Sequence, residues 1–282
     1  MLLASVLAFA VQVGPNPSIE PTPAIPPELE ELRRREREKA PKVIIPTDPV
    51  EVCLLRAEDD PTAAVMEASD RAGRTSGLAK GQALHCLGLA QSELARWRDA
   101  ADRFVAARDT VPADNIEYRA RLGAMAGAAL LTADDPMAAL AALDTARDAS
   151  QAVGFRPLTG EIALDRARAF VALQDNVQAA EALAEARRLI PESRRAWLLS
   201  AVLARRNGDL ADAQSYIMQA RTLAPRNAEV LLESGVIAVL SGNDELAANE
   251  WNAVLALPDQ PEAAQTARSY IDQLSEATKE DS

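Results

Sequence analysis

The 282-residue sequence has very little histidine, cysteine or aromatic character. It contains one histidine, His85, and two cysteines, Cys53 and Cys86, and aromatic residues make up only 4% of it. A metal cluster needs several His, Cys or carboxylate ligands at short spacings, and no such spacing occurs. Nucleophilic chemistry of the Ser/His/Asp kind would depend on His85 alone, without a nucleophile-elbow motif near it. We therefore predict a non-enzymatic protein that needs no cofactor and no metal.

Basic residues and strand-forming residues are also scarce. Lys and Arg number 30 against 42 Asp and Glu, so the formal net charge is −12. Binding to nucleic acid needs a basic surface, and this balance argues against such a partner. The apolar residues are mainly Ala, Leu and Val, and Ala and Leu favour helices. We predict an all-α protein.

The apolar run at the N-terminus is too short to span a bilayer, which takes about 20 residues. Residues 1–13 are apolar except for Ser5 and Gln12. They fit the apolar region of a secretory signal peptide, and residues 8–10 (Ala-Phe-Ala) supply a cleavage signal, although no Lys or Arg precedes the run. We expect a periplasmic or secreted protein with no integral membrane span after cleavage. The alternative is an uncleaved apolar segment on a cytoplasmic protein.

Proline is concentrated in residues 14–49, which hold nine of the 17 prolines. Each proline fixes its φ angle and removes a backbone donor, so this stretch cannot form a long helix or a central strand. A mixed-charge stretch within it, ELEELRRREREK, is compatible with a short solvated helix. We predict a disordered linker over residues 14–49, a helical domain over residues 50–277 and a disordered tail over residues 278–282.

One spacing of small and large residues recurs along the helical domain. A small residue is followed by a large one four positions later and by Ala or Val after three more. The five copies begin at Ala100, Ala139, Ala179, Ala213 and Ala247. Twelve residues before each of them lies another small residue, at Gly88, Gly127, Ala167, Ala201 and Gly235. This pattern predicts helical hairpins in which the two small residues face each other and the large residue fills the space beside them.

The spacing resembles the tetratricopeptide repeat (TPR) family, whose unit has 34 residues. The closest match is residues 194–227, where the signature places hold Trp197, Ala201, Gly208, Ala213, Ile217, Ala220 and Pro225. Residues 81–114 and 228–261 match well. Residues 120–153 and 160–193 lack the turn glycine, and extra residues precede each, which we expect to lengthen helices or loops. The resemblance implies an all-α, right-handed superhelical solenoid of hairpins, with a leading hairpin at residues 50–74 and a capping helix at residues 260–277.

The resemblance also implies a scaffold that binds a peptide or protein in the concave groove formed by the first helix of each hairpin. The family's inward positions correspond in this sequence to His85, Leu89, Arg121, Arg168, Arg195, Leu198, Val202, Arg205, Arg206, Leu232 and Val236. This apolar stripe with arginines beside it favours an apolar partner carrying acidic residues. Alternatively, the apolar residues pack between repeats and the arginines pair with neighbouring acids. The alternative functions are a cytosolic adaptor or co-chaperone, or an enzyme with an unrecognised pocket.

The two cysteines lie on the first helices of successive predicted hairpins. In an exported protein, an even number of cysteines favours a Cys53–Cys86 disulfide. In a reducing compartment both would be small buried apolar residues. The sequence leaves these two possibilities open.

Overall fold

A computed structural model describes residues 48–280, with side chains to residue 276. These residues form thirteen helices and no strand, in six hairpins followed by one closing helix. The expected signal segment and nearly all of the Pro-rich linker lie outside the described residues. The helices are α1 (Pro49–Asp59) and α2 (Pro61–Arg74), α3 (Gly77–Glu93) and α4 (Trp97–Thr110), α5 (Ile116–Thr132) and α6 (Pro136–Ala152), α7 (Arg156–Ala172) and α8 (Asn176–Leu189), α9 (Arg194–Asn207) and α10 (Leu210–Leu223), α11 (Ala228–Leu240) and α12 (Asp244–Leu255), and α13 (Pro261–Glu280).

The hairpins stack in chain order. The main contacts join consecutive helices, and smaller contacts join the first helices of successive hairpins, such as α5 with α7 and α9 with α11. Each hairpin therefore buries its apolar faces against the hairpins on either side, as in a solenoid. The last hairpin is covered by α13, where Ala267 is fully buried and Tyr270, Ile271 and Leu274 pack against the same apolar cluster as Trp251.

Polar caps determine where most of the helices begin. An Asp, Asn or Ser side chain accepts a hydrogen bond from a first-turn backbone N–H at Asp48, Asp60, Asp135, Asp175, Ser193, Asn227 and Asn243. Three of these caps are followed by a proline at the first helical position, where its missing N–H costs nothing. Each cap contributes about 1 kcal/mol to the stability of its helix.

The small residue of the first helix packs against the large residue of the second helix. A Cβ placed on Gly88 would lie 2.6 Å from a ring carbon of Phe104, and Gly127 and Gly235 are covered in the same way by Leu143 and Trp251. The expectation that two small residues face each other at these positions is wrong. In an antiparallel hairpin the residue opposite the glycine is the one sixteen positions later, which is the large residue of the motif.

The extra residues of the two degenerate repeats lie mainly within helices. Helices α5, α6 and α7 each have 17 residues, as does α3 of an earlier, well-matching repeat, whereas α4, α8, α9 and α10 each have 14. Added turns of helix extend the hairpin without disturbing the contact between glycine and large residue, because that contact lies further along the same helices.

Every hairpin from α3 to α12 turns through a residue with positive φ. The two later turns use Gly208 and Gly242, at φ 86° and 75°. The equivalent places in the three earlier hairpins hold Ala95, Asp134 and Gln174, at φ 56°, 58° and 63°. The left-handed backbone conformation is therefore retained where glycine is absent, and each of these side chains costs about 1 kcal/mol there.

Replacing the strained turn residues with glycine should stabilise the protein. We expect Ala95→Gly and Gln174→Gly to raise the free energy of unfolding by about 0.5–1 kcal/mol each, because the relief of left-handed strain exceeds the added entropy of the unfolded chain. The matched reverse substitution, Gly208→Ala, should lower it by about 1 kcal/mol. Urea unfolding of the three variants checks both signs. If all three variants are as stable as the parent, the inference that the backbone is strained at these turns is wrong.

Candidate functional site

An apolar niche lies between the first helices α7 and α9, and we call this niche and the depression beside it the groove. The niche has a volume of about 170 Å³. Its walls are Ala167, Val171, Leu183, Leu199, Val202 and Leu203, with Arg168 and Arg206 at its edge. Leu183 reaches it from α8 and forms its floor. A niche of this size and lining suits one apolar side chain whose neighbouring polar group meets an arginine.

A wider depression of about 610 Å³ continues the groove between α9 and α11. It shares Leu199 and Val202 with the niche. Its other lining residues are Arg194, Arg195, Leu198, Glu229, Leu232, Glu233, Val236 and Tyr270. Two arginines and two glutamates lie in this set, so the depression carries no strong charge of one sign.

Most of the groove arginines already have acidic partners. Asp165 lies 3.2 Å from Arg168 and 3.6 Å from Arg195. Arg205 makes a two-pronged contact with Glu233, with Nε donating to Oε1 at 2.6 Å and Nη2 donating to Oε2 at 3.3 Å. Arg206 is exposed and makes no ion pair with any residue that the structure describes. It is therefore the arginine of this lining that has no acidic partner among the described residues.

Comparison with known proteins identifies the repeat. A family model described as tetratricopeptide repeat matches residues 124–193, 164–216 and 198–264, which together span half of the chain. The chain belongs to the tetratricopeptide repeat family. The solenoid of hairpins is thus the right-handed all-α TPR superhelix that the resemblance implied, and the matched region covers nearly all of the two degenerate repeats.

Solved TPR structures share this fold at low sequence identity. PilW, described as a widely conserved type IV pilus biogenesis factor, aligns with a TM-score of 0.59 at 18% identity, over 78% of this chain and 99% of PilW. BtubC (BKLC) from P. vanneervenii gives 0.58 at 15% identity, over 78% and 92%. Pseudomonas aeruginosa pilF gives 0.54 at 16% identity, over 76% and 99%. No curated protein sequence matches the chain.

Seven of the eleven residues expected in a binding groove line the niche or the wider depression. Arg168, Val202 and Arg206 line the niche, and Arg195, Leu198, Val202, Leu232 and Val236 line the wider depression. Arg205 lies beside the groove but is held by Glu233. Sequence reasoning missed Val171, Leu199, Leu203 and Tyr270, because it considered each first helix singly and not the seam between two of them.

The remaining expected residues lie on the earlier hairpins and do not line either depression. Leu89 is half-buried and packs against the apolar cluster that includes Phe104. Arg121 is exposed, pairs with Glu117 at 2.7 Å and lies over the ring of Phe155 at 4.9 Å. Neither residue therefore contributes to the two depressions between α7 and α11.

His85 is buried in the TPR core. Its Nδ1 lies 2.9 Å from the hydroxyl of Tyr118, and its ring packs edge-on against Phe104. Burial lowers the pKa of His85 to about 4, although Asp48 opposes this shift. Burial also raises the pKa of Tyr118 to about 12. Both side chains are therefore neutral at neutral pH, and His85 offers little surface to a ligand.

The buried His85 should make stability depend on pH. Because its pKa is about 4 in the folded protein and 6.5 in the unfolded chain, only the unfolded chain takes up this proton between those values. Stability should fall as the pH drops through this window, by about 2–3 kcal/mol in total. In His85→Gln, urea unfolding measured from pH 7 to pH 4 should show a flatter profile. Parallel profiles for parent and variant would contradict the assignment.

The described part of the chain offers neither a metal site nor a membrane span. No group of three or more His, Cys, Asp or Glu side chains lies close enough there to hold a metal ion. Over the same range, none of the helices is long and apolar enough to cross a membrane.

Proposed function

We propose that this TPR chain is a non-enzymatic interaction scaffold that binds a protein or peptide in the groove between α7 and α11. The occupant is an extended segment with an apolar side chain next to an acidic one. The observation that carries this proposal is the niche itself. Its walls are apolar, it lies between two first helices, and Arg206, which has no ion pair with the described residues, stands at its edge.

The ion pairs of the groove indicate where the acidic residue of the occupant binds. Arg168 and Arg195 share Asp165, and Arg205 is held by Glu233, so these cations already have counter-charges. A ligand carboxylate beside Arg206 forms a new charge-assisted hydrogen bond without breaking an existing ion pair. The preference for an acidic residue therefore depends on one position of the groove, and the rest of the groove contributes apolar contact area.

We also propose that the protein works in the cell envelope. Two observations support this location: the apolar residues 1–13 with their cleavage signal, and the pairing of Cys53 with Cys86. Disulfides persist in oxidising compartments and are rare in the cytosol.

Charge reversal at Arg206 tests the groove. Peptides are selected from a random display library on the parent protein, and their affinities are then measured for Arg206→Glu and for the control Arg188→Glu. Arg188 is exposed on α8, a second helix, and its side chain makes no ion pair with the described residues. We expect acidic, apolar peptides whose affinity falls at least about tenfold in Arg206→Glu and is unchanged in the control. The salt dependence of binding should weaken in Arg206→Glu alone.

Two other results would contradict parts of this proposal. If the selected peptides bind Arg206→Glu as tightly as the parent, with the same salt dependence, then the niche is not their site. If the selected peptides are apolar but lack acidic residues, the groove is retained and the charge preference is withdrawn.

A further inference from the structure

Two successive second helices and the first helix between them form a region that we call a seam. The 34-residue repeat places the same three positions in two successive seams. The first seam, between α8 and α10 over α9, holds Arg187, Ser200 and Tyr216. Adding 34 to each number gives Arg221, Ser234 and Glu250 in the second seam, between α10 and α12 over α11. The two seams therefore differ at one position of this set, where a tyrosine is replaced by a glutamate.

In the first seam the tyrosine ring is held by the arginine. The guanidinium of Arg187 lies 4.2 Å from the centroid of the Tyr216 ring and 5.5 Å from that of Trp197. Arg187 also donates hydrogen bonds to the hydroxyl of Ser200 and, at 3.4 Å, to that of Tyr216. The seam thus shows how this backbone accommodates an aromatic ring with a polar tip, through cation–π contact and hydrogen bonding.

In the second seam the shorter glutamate leaves a cleft. The cleft has a volume of about 560 Å³ and apolar walls that include Ile217, Met218, Ile237 and Leu246. Met218 is 62% exposed and Leu246 is 42% exposed, so the apolar surface is open to solvent. The difference from the first seam is therefore an accessible space that shares no lining residue with the niche or the wider depression.

Glu250 brings an unused hydrogen-bond acceptor into this cleft. The residue is 6% exposed, and its Oε1 lies 3.1 Å from Nη2 of Arg221. Its Oε2 is buried and has no hydrogen-bond partner. Burial raises the pKa of Glu250, while the charge of Arg221 and the nearby Ser234 hydroxyl oppose the shift; the Ser234 hydroxyl is not placed for a well-formed hydrogen bond to Oε2. A buried acceptor without a partner is costly, and a ligand donor removes that cost once the carboxylate turns far enough to expose Oε2 to the cleft.

We propose that this cleft is a second binding site, which takes a tyrosine or tryptophan side chain of a partner protein. The ring lies between the apolar walls and beside Arg221, as Tyr216 lies beside Arg187. The hydroxyl or indole N–H donates to Oε2 of Glu250. This site is separate from the groove and does not depend on the proposed function of the groove.

The chemistry of the cleft excludes simpler occupants. A lysine or arginine of the partner would meet Arg221, which already neutralises Glu250, and the like charges would repel each other. A phenylalanine would use the walls but leave Oε2 without a donor. Only an aromatic side chain with a donor at its tip matches both the walls and the carboxylate.

The ring does not come from the undescribed part of this chain. The three tyrosines and three tryptophans of the sequence all lie between Trp97 and Tyr270, inside the described residues. Five of these six rings already pack against another aromatic ring or His85. These five rings are therefore already engaged, and we assign the ring in the cleft to another molecule.

Small amide probes test the site directly. Backbone NMR spectra of the full chain are recorded during titration with N-acetyl-tyrosinamide and with N-acetyl-phenylalaninamide. We expect saturable shifts at Ser234 and Leu246, with the tyrosine probe binding about tenfold more tightly because of its donor. The variant Glu250→Tyr restores the residue of the first seam and should abolish binding of both probes. The groove variant Arg206→Glu should bind them as the parent does.

A second variant separates loss of the site from loss of folding. Glu250→Met keeps the length of the side chain but removes the acceptor, so both probes should bind it equally. Equal binding of the two probes by the parent, no saturable shift in the cleft, or unchanged binding by folded Glu250→Tyr would overturn the proposal. Self-association of the parent that Glu250→Tyr abolishes would assign the cleft to a second copy of the chain and overturn its assignment to a partner protein.

Discussion

Gly235→Leu is expected to destabilise the last hairpin severely. Gly235 lies on α11, and the indole of Trp251 on α12 covers it so closely that even a Cβ would overlap the ring. The ring has little room to move, because Trp251 is 4% exposed and packs against Tyr270 of the closing helix at 5.1 Å between ring centroids. We expect a loss of about 4 kcal/mol or more, above the usual cost of overpacking.

Gly235→Leu should destabilise the C-terminal helices more than the rest of the domain. In a solenoid each hairpin contacts only its neighbours, so the hairpin α11–α12 and the closing helix α13 should lose hydrogen-exchange protection first. Urea unfolding gives the overall loss, and exchange measured by segment gives its position. Gly73→Ala is the control, because a Cβ on Gly73 meets nothing within 4 Å, and it should be neutral or slightly stabilising. If Gly235→Leu has the same free energy of unfolding as the parent, Gly235 does not pack closely against Trp251 as described.

The register of the hairpins could be predicted because the pattern depends on residue size. A glycine or alanine sixteen positions before a large residue is needed wherever two helices cross closely, so Gly88, Gly127 and Gly235 mark the first helices of their hairpins. Prediction of the opposing residue failed because the sequence shows two candidates, Ala and the large residue, four positions apart. Only the geometry of the antiparallel crossing decides between them.

The turns and the groove were harder to predict for different reasons. At Ala95 and Gln174 the backbone adopts positive φ although the residue type does not favour it, because the surrounding hairpin imposes the turn. At the groove, the periodicity identifies inward positions such as Val202 and Arg206. The periodicity does not show which arginine forms an ion pair with an acidic residue, since Arg205 and Glu233 are 28 residues apart in the sequence. The expected peptide binding itself stays a prediction.

Loss of the link between Cys53 and Cys86 should release the leading hairpin from the rest of the domain. The structure joins the two cysteines as a disulfide, with their Cα atoms 5.7 Å apart and a separation of 33 positions in the sequence. A cross-link over that separation contributes about 4 kcal/mol by restricting the unfolded chain. Helix α1 has few other attachments, because its buried residues are Cys53 and Ala57 alone, while Val52, Leu54 and Leu55 stay exposed.

The double variant Cys53→Ala/Cys86→Ala tests this contribution and bears on the proposed compartment. In this variant the amides of α1 and α2 should lose hydrogen-exchange protection equivalent to nearly the full cross-link energy, about 4 kcal/mol. The amides of α9 to α12 should keep their protection, because stability in a stacked array is set by nearest neighbours. Reductant should reproduce the effect in the parent and change nothing in the variant. In the parent isolated from the cell envelope without reductant, thiol labelling should find neither cysteine. Two labelled cysteines would contradict both the disulfide and the argument for an oxidising location that depends on it.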